Sequence, residues 1–460
     1  MTDTDLLVIG GGLAGHAAAL EAAEFGASVL LVEKTAAVGG STLQSSGSFA
    51  FAGTQAQRDA GFEDSPEEIR TDIVAASGGL ADPALVSVYI EGQAQAYAWL
   101  KAHGVHFHPV TLSSNQAVPR THATQPMQLM TALHAKVLAD ERIEFVDNAA
   151  ARRLVVDPEG KVTGAVFETG QGNWEVRARR GVVLATGGFS QNAELIEKFA
   201  PRMARALKLG GSGNTGDGLL MAWKLGADMV DMAHVNGTFG ISLNHYPDMR
   251  APAAGEALLR LAIYRGGIAV NLEARRFADE SISYKKLGEI CLDQPRSIGF
   301  QIWDAKIMAQ SVPAPTATDF EGALALGLVR RADSIHGLAQ AVGLDPEILT
   351  GTVCRYNADV AEGRDSVFGR TSLGRGWGKL VPIDKPPFFI YPCTTGVLST
   401  YCGVRVTPRM ECVDVFGETI ANLYAAGEIV GGFHGSGYMS GSSLSKSVIF
   451  GRVAARTALG

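Results

Sequence analysis

The chain has 460 residues, 46% of them hydrophobic, enough for two domains around large cores. Its 40 basic and 47 acidic residues leave a net charge of −7 with no long run of either sign, which argues against a nucleic-acid or anionic-lipid partner. Five scattered cysteines (Cys291, Cys354, Cys393, Cys402, Cys412) make no zinc spacing, and no apolar run could form an integral membrane segment, so the expectation is a cytoplasmic protein with reduced thiols.

The first thirty residues form the clearest local pattern. An apolar run from Leu6 to Ile9 reads as a buried strand, a glycine-rich turn and an alanine-rich helix follow, and a second strand from Val29 to Val32 ends at Glu33. Gly10, Gly12 and Gly15 make GxGxxG inside this βαβ unit. The first permits the tight turn, the second lets a pyrophosphate approach the backbone, and the third lets helix and strand pack closely. Glu33 is placed to accept hydrogen bonds from a ribose diol. Small residues follow in "EKTAAVGGSTLQSSGSFAFAGT", with Gly39, Gly40, Ser41 and Thr42 just after the second strand. "GVVLATGGFS" and "NLYAAGEIVGG" read as further strands ending in small-residue turns.

Between about 235 and 376 the chain becomes richer in aromatic and charged residues and lacks glycine-rich strand ends. "MAQSVPAPTATDFEGALALG" and "SIHGLAQAVGLDPEILTGTVCRYNADVAEG" read as helical there. The predicted division is therefore 1–234, an inserted domain over 235–376, and a return to the first domain over 377–460. In the last segment, Glu428 follows a strand, and Ser443 and Leu444 open a helix whose free N–H groups suit a ligand group that gathers negative charge.

These stretches, with "ATGGFSQN" (185–192), "TGDG" (215–218), "RRFADES" (275–281) and "YAAGE…GR" (424–452), resemble the flavoprotein family of fumarate reductase, the succinate dehydrogenase flavoprotein subunit and the 3-ketosteroid dehydrogenases. The resemblance covers nearly the whole chain. It implies an α/β fold: a Rossmann-type, glutathione-reductase-like FAD-binding domain with an inserted α+β substrate or capping domain. FAD contacts are implied for Ala14, Lys34, Ser46, Gly47, Ala150, Ala185, Thr186, Gly187, Asp217 and Gly427 besides the residues above, with Glu428 binding the ribityl chain and the helix start at Ser443 and Leu444 facing the flavin N1/C2=O edge, where charge accumulates on reduction. The family attaches flavin covalently through a histidine in the early loop; Ser and Gly stand there, so non-covalent FAD is expected.

The substrate-side motifs depart from the carboxylate-reducing branch. Those enzymes grip a dicarboxylate with arginines, whose planar fork suits bidentate pairing. Here "HGSGY" puts Tyr438 where HGxNR has its arginine, "VNGT" (235–238) replaces His-Pro-Thr, and Tyr284 stands at the position of the catalytic arginine. "DESISY" and the Tyr438-Met439-Ser440 run are similar to the ketosteroid dehydrogenase branch. In that branch one tyrosine takes the proton α to a ring ketone and another hydrogen-bonds the ketone oxygen. Tyr284 is the implied base, and Tyr438 the implied donor with Ser440 and the Gly441 N–H as partners. A neutral donor aimed at the oxygen lowers the barrier, whereas a phenol, with an ordinary pKa of about 10, needs help to act as a base. Lys285 and Lys286 are near in sequence, and Tyr89, Tyr97 and Tyr264 are candidate relays.

The expected function is FAD-dependent desaturation of a ring ketone, steroid or smaller, with electrons passed to an external acceptor. A carboxylated ketone would need a basic contact, for which Arg120 is a candidate. One alternative is an enoate reductase of the fumarate or urocanate type; another, of a different class, is an idle flavin-carrying subunit. His434 is expected to line the flavin pocket. The His103, His106, His108 cluster is read as surface histidine without metal.

Overall fold

The computed structural model describes residues 2–248, 258–313, 316–374 and 377–460. The chain divides into two compact units. The first comprises residues 1–201, 210–235 and 398–460, and the second 202–209 and 236–397. The expected boundary at 376 lies outside the described residues. The segment expected to open the returning part instead belongs to the second unit, because its strand Phe388–Val397 pairs there.

The first unit is built on a largely parallel sheet. Strand β1 (Thr2–Ile9) lies between β2 (Val29–Val32) and the strand Gly172–Leu184, parallel to both. Ile143–Val146 continues the sheet beyond β2, and Thr419–Ala425 continues it beyond Gly172–Leu184. All four residues of β2 are buried, as expected for a strand covered on both faces, and each contributes about 1.5–3 kcal/mol of hydrophobic stabilisation. The crossover helix α1 (Leu13–Glu24) is buried from Leu13 to Ala23. Its small residues allow the last helix, Ser442–Leu459, to approach closely: a Cβ on Gly451 would sit 2.5 Å from the Ala14 carbonyl oxygen. Buried Glu21 pairs with Arg452 at 2.6 Å and with Arg456, pinning the two helices together.

The second unit centres on Phe388–Val397, buried along its whole length. It pairs with Thr238–Ser242, Gly299–Asp304, Arg330–Ala332 and Leu207–Lys208. A core of Ile268, Phe300, Ile302, Leu338, Leu349 and Ile390 lies against this sheet. The helix Tyr284–Leu292 docks on the sheet through Gly288, whose added Cβ would lie 3.0 Å from the Phe239 nitrogen, and Thr395 Oγ1 donates to the Gly288 carbonyl at 2.8 Å. The helical reading over 308–327 is corrected: among the described residues of this stretch only Ala305–Met308 and Phe320–Ala325 are helical, as expected around a proline such as Pro313. The next stretch splits into Ile335–Val342 and Pro346–Ala361. Left-handed Gly343 ends the first, and Asp345 caps the second ahead of Pro346.

Candidate functional site

The turn after β1 has the geometry its glycines require. Gly10 has φ +116°, and a Cβ there would lie 2.3 Å from the Ala185 carbonyl oxygen; on Gly15 it would lie 1.9 Å from the Gly10 oxygen. Gly12 differs, since its Cβ would meet only the Gly39 oxygen at 3.9 Å, leaving the backbone open to a ligand at the helix N-terminus. The Gly11 N–H donates to Glu33 Oε2 at 2.8 Å, and the Thr35 N–H and hydroxyl both donate to Oε1 at 2.9 Å, so the carboxylate is held at the end of β2. Gly39 N–H bonds the Gly11 carbonyl, Thr42 Oγ1 accepts from Leu13 N–H, and Ala149 N–H bonds the Glu33 carbonyl, bringing Ala150 beside it.

Further out, Lys34 pairs with Asp217 at 2.6 Å. The Ser41 hydroxyl accepts from Gly211 N–H and from the Asn214 amide, and an added Cβ on Gly211 would lie 2.6 Å from Gly40. Asn214 also lies 3.2–3.3 Å from both oxygens of Glu428, while Thr400 N–H donates to Glu428 Oε1 at 2.9 Å. Burial pushes the Glu428 carboxyl above its ordinary range, opposed by these bonds. Gly427, with φ +82°, brings the chain against Ala14. Asn214 and Thr400 escaped the sequence reading; Asn214 directly precedes the TGDG run, which was the available signal.

Two buried atoms of this cradle, Thr186 Oγ1 and Asn214 Oδ1, have no hydrogen-bond partner among the described residues. No side chain among the described residues caps the last helix after left-handed Gly441, so its first turn, which includes Ser443 and Leu444, has no side-chain cap. Open glycine backbone, a held carboxylate, orphaned polar atoms and an uncapped helix together fit a dinucleotide with a flavin ring. Ser46 and Gly47 stand apart. Ser46 Oγ bonds Ser48 Oγ at a solvent-exposed contact, and Gly47 is explained by packing, since a Cβ would lie 1.8 Å from the Thr124 oxygen.

The loop before the last helix carries Tyr438, 9% exposed. Its hydroxyl oxygen accepts the Gly441 N–H at 3.0 Å. Its ring stacks on Tyr401 at 4.9 Å and 20°, and His434 packs against both rings. Asn115 Nδ2 and Gln116 Nε2 donate to the carbonyls of Tyr438 and Ser440 at 2.8 and 2.9 Å, and Ser440 N–H bonds the Ser114 carbonyl, so a strap at 114–116 fixes the loop. His434 Nε2 lies 3.1 Å from Ser442 Oγ.

In the second unit, Tyr284 opens its helix after the Ser283 cap and is 9% exposed. Lys285 Nζ lies 5.5 Å from the Tyr284 ring centroid and 2.6 Å from Thr238 Oγ1, so an ammonium adjoins the phenol ring. Lys286 instead pairs with Glu289 on the surface.

Several candidates are structural. Arg120 is corrected as a substrate contact: it is 0% exposed and lies 3.0 Å from both Asp64 and Asp72. Arg120→Met is expected to destabilise the fold by about 3–5 kcal/mol, as a buried charge loses its partner, with KM unchanged in folded enzyme; chemical unfolding and steady-state kinetics check both. Tyr89 donates to the Ala50 carbonyl at 2.6 Å, Tyr264 to the Ile282 carbonyl at 2.7 Å, and Tyr97 stacks on Phe107. Arg276 is bound by Glu280 and Asp365. Four thiols are buried and Cys354 is exposed. Among the described residues no cluster could hold a metal, and no helix is long and apolar enough to cross a membrane.

Fold and cradle define a dinucleotide-binding flavoprotein. Residues 5–444 match the FAD binding domain family, and the chain belongs to it. It is 29% identical over 459 residues to a fumarate reductase (cytochrome) of Shewanella frigidimarina, covering 99% of this chain and 76% of that one. It is 29% identical over 468 residues to a urocanate reductase of Eggerthella lenta, with 99% and 75% covered. Among solved structures it resembles 3-ketosteroid-Δ4-(5α)-dehydrogenase of Rhodococcus jostii RHA1, at 29% identity and a TM-score of 0.76, covering 100% of this chain and 97% of that one. The chain is thus an FAD-dependent oxidoreductase acting on CH–CH groups.

Proposed function

We propose that the enzyme exchanges hydrogen across the carbon–carbon bond α,β to a neutral carbonyl, as in a ring enone, and that it runs in the reducing direction with electrons from an external donor. The direction is supported by the fumarate and urocanate reductases among its relatives. The neutral carbonyl rests on one observation: the loop that would hold a substrate anion carries Tyr438, its hydroxyl oxygen accepting the Gly441 N–H at 3.0 Å. That bond draws electron density from the phenol oxygen and makes its O–H a stronger donor to a carbonyl on which negative charge develops. A guanidinium would match a carboxylate; a phenol matches a ketone.

FAD, when bound, supplies the hydride for the β-carbon. Tyr284 gives its proton to the α-carbon, and the Lys285 ammonium beside its ring offsets the charge left on the phenol oxygen. Tyr401, His434 and the 114–116 strap keep Tyr438 in place. Tyr284→Phe is expected to lower kcat by about 10²–10⁴-fold while leaving FAD bound with an unaltered spectrum. Wild-type turnover in that variant would assign the proton to another group.

The second reading is the reverse reaction, desaturation of a saturated ring ketone. The same Tyr438–Gly441 pair and the likeness to the Δ4 dehydrogenase favour it. Anaerobic bleaching of the oxidised flavin by a saturated ring ketone, with no reoxidation of reduced enzyme by the enone, would select it over the first.

A further inference from the structure

Tyr401 occupies a backbone region that a bulky L residue rarely adopts. Its φ is +58°, where the Cβ crowds the following carbonyl, and its ring is buried. The chain is anchored on both sides of it. Thr400 donates its N–H to Glu428 Oε1 at 2.9 Å and its hydroxyl at 3.4 Å. Gly403 pairs with Val230, and a Cβ there would lie 1.9 Å from the Ile429 carbonyl oxygen. Residue 401 is thus held in an unfavourable conformation, and what that conformation delivers is a ring laid on Tyr438 at 4.9 Å and 20°.

The plane of the Tyr438 ring decides where its hydroxyl points. A phenol oxygen is conjugated with its ring, so its O–H lies in the ring plane, as does the lone pair best placed to accept. The Gly441 N–H takes that lone pair at 3.0 Å, which directs the O–H along the opposite side of the same plane. The Tyr438 ring is tilted by 53° to His434 but lies nearly parallel to Tyr401, so the flat contact that fixes the plane comes from Tyr401.

We infer that Tyr401 is a positioning residue that aims the Tyr438 hydroxyl: its stacked ring, not its own hydroxyl, sets the plane in which Tyr438 accepts the Gly441 N–H and donates to the substrate carbonyl. The donation to substrate rests on the function proposed above; the setting of the plane does not.

The test is residue-resolved hydrogen–deuterium exchange of the FAD-loaded enzyme, which needs no substrate. Tyr401→Gly tolerates the left-handed backbone, and so keeps the Thr400 bonds to Glu428, but removes the ring. It is expected to speed exchange of the Gly441 amide about tenfold or more, to within about twofold of Tyr438→Phe, with amides in the body of the last helix unchanged. Tyr401→Phe should leave Gly441 protected as in the wild type. With the ring enone that reoxidises the reduced enzyme fastest, Tyr401→Gly should lower kcat about tenfold with KM little changed, yet by less than about twofold in a Tyr438→Phe background. Wild-type protection of Gly441 in Tyr401→Gly overturns the inference. So does acceleration spread evenly along the last helix, or an equal loss of kcat in both backgrounds, either of which would make Tyr401 a packing residue. If no ring enone reoxidises the enzyme, the proposed function fails, and the exchange result alone decides whether Tyr401 aims the hydroxyl. Should Tyr401→Gly not fold, Tyr401→Asn, which also tolerates a positive φ, must show the same selective acceleration.

Discussion

Gly15→Val is expected to yield a protein that purifies without flavin colour. Even the first carbon of the new side chain would lie 1.9 Å from the Gly10 carbonyl oxygen, a backbone atom that no rotamer change can move. Helix α1 must lift from β1, costing about 1–3 kcal/mol or more in packing. It also moves the helix N-terminus from the place proposed for the pyrophosphate. A misplacement worth about 3 kcal/mol weakens FAD roughly 100-fold. Gly12→Ala separates the two effects, because its Cβ would meet only the Gly39 oxygen at 3.9 Å. That variant should melt like the wild type and still bind FAD poorly, its methyl group standing on the pyrophosphate side of the turn. Flavin absorbance per protein, with thermal melting of the apoproteins, reads both outcomes. Strong FAD binding by Gly15→Val would mean that this turn does not hold the pyrophosphate.

Tyr438→Phe is expected to lower kcat by about 10²–10³-fold, the loss typical of removing one donor from a developing oxyanion. The ring can keep its stack on Tyr401 and its packing against His434, and the strap at 114–116 holds the loop through backbone carbonyls of Tyr438 and Ser440. The flavin spectrum should therefore stay unchanged. The Gly441 N–H loses its acceptor, which costs about 1–3 kcal/mol in stability. Turnover and melting temperature should both fall. A variant that loses stability alone would reduce Tyr438 to a packing residue.

The nucleotide half of the molecule was legible because its chemistry is local. Gly10, Gly12, Gly15 and Glu33 lie in one continuous βαβ unit, and each obeys a backbone or hydrogen-bond requirement visible in a short window. What escaped depends on partners far along the chain. Arg120 read as an available cation, but Asp64, 56 residues earlier, and Asp72 enclose it. Lys446 sits among serines in a helix whose polar residues suggest a solvated face, yet that face is covered. Phe388–Val397 is an apolar run that either unit could have taken, and only its pairing with Thr238–Ser242 and Gly299–Asp304 assigns it. Tyr438 was legible as a departure from an arginine-bearing pattern, but its bond to Gly441 depends on a left-handed residue at φ +88° that composition does not reveal.

The central claim is a flavin enzyme whose substrate presents a neutral carbonyl in place of a dicarboxylate. The most direct measurement is anaerobic stopped-flow reoxidation of the reduced enzyme, following the return of flavin absorbance with cyclohexenone-type and steroid enones on one side and fumarate on the other. Rapid reoxidation by at least one ring enone, slowed by Tyr438→Phe, and negligible reoxidation by fumarate is the predicted result. Faster reoxidation by fumarate than by any enone, insensitive to Tyr438→Phe, would contradict it.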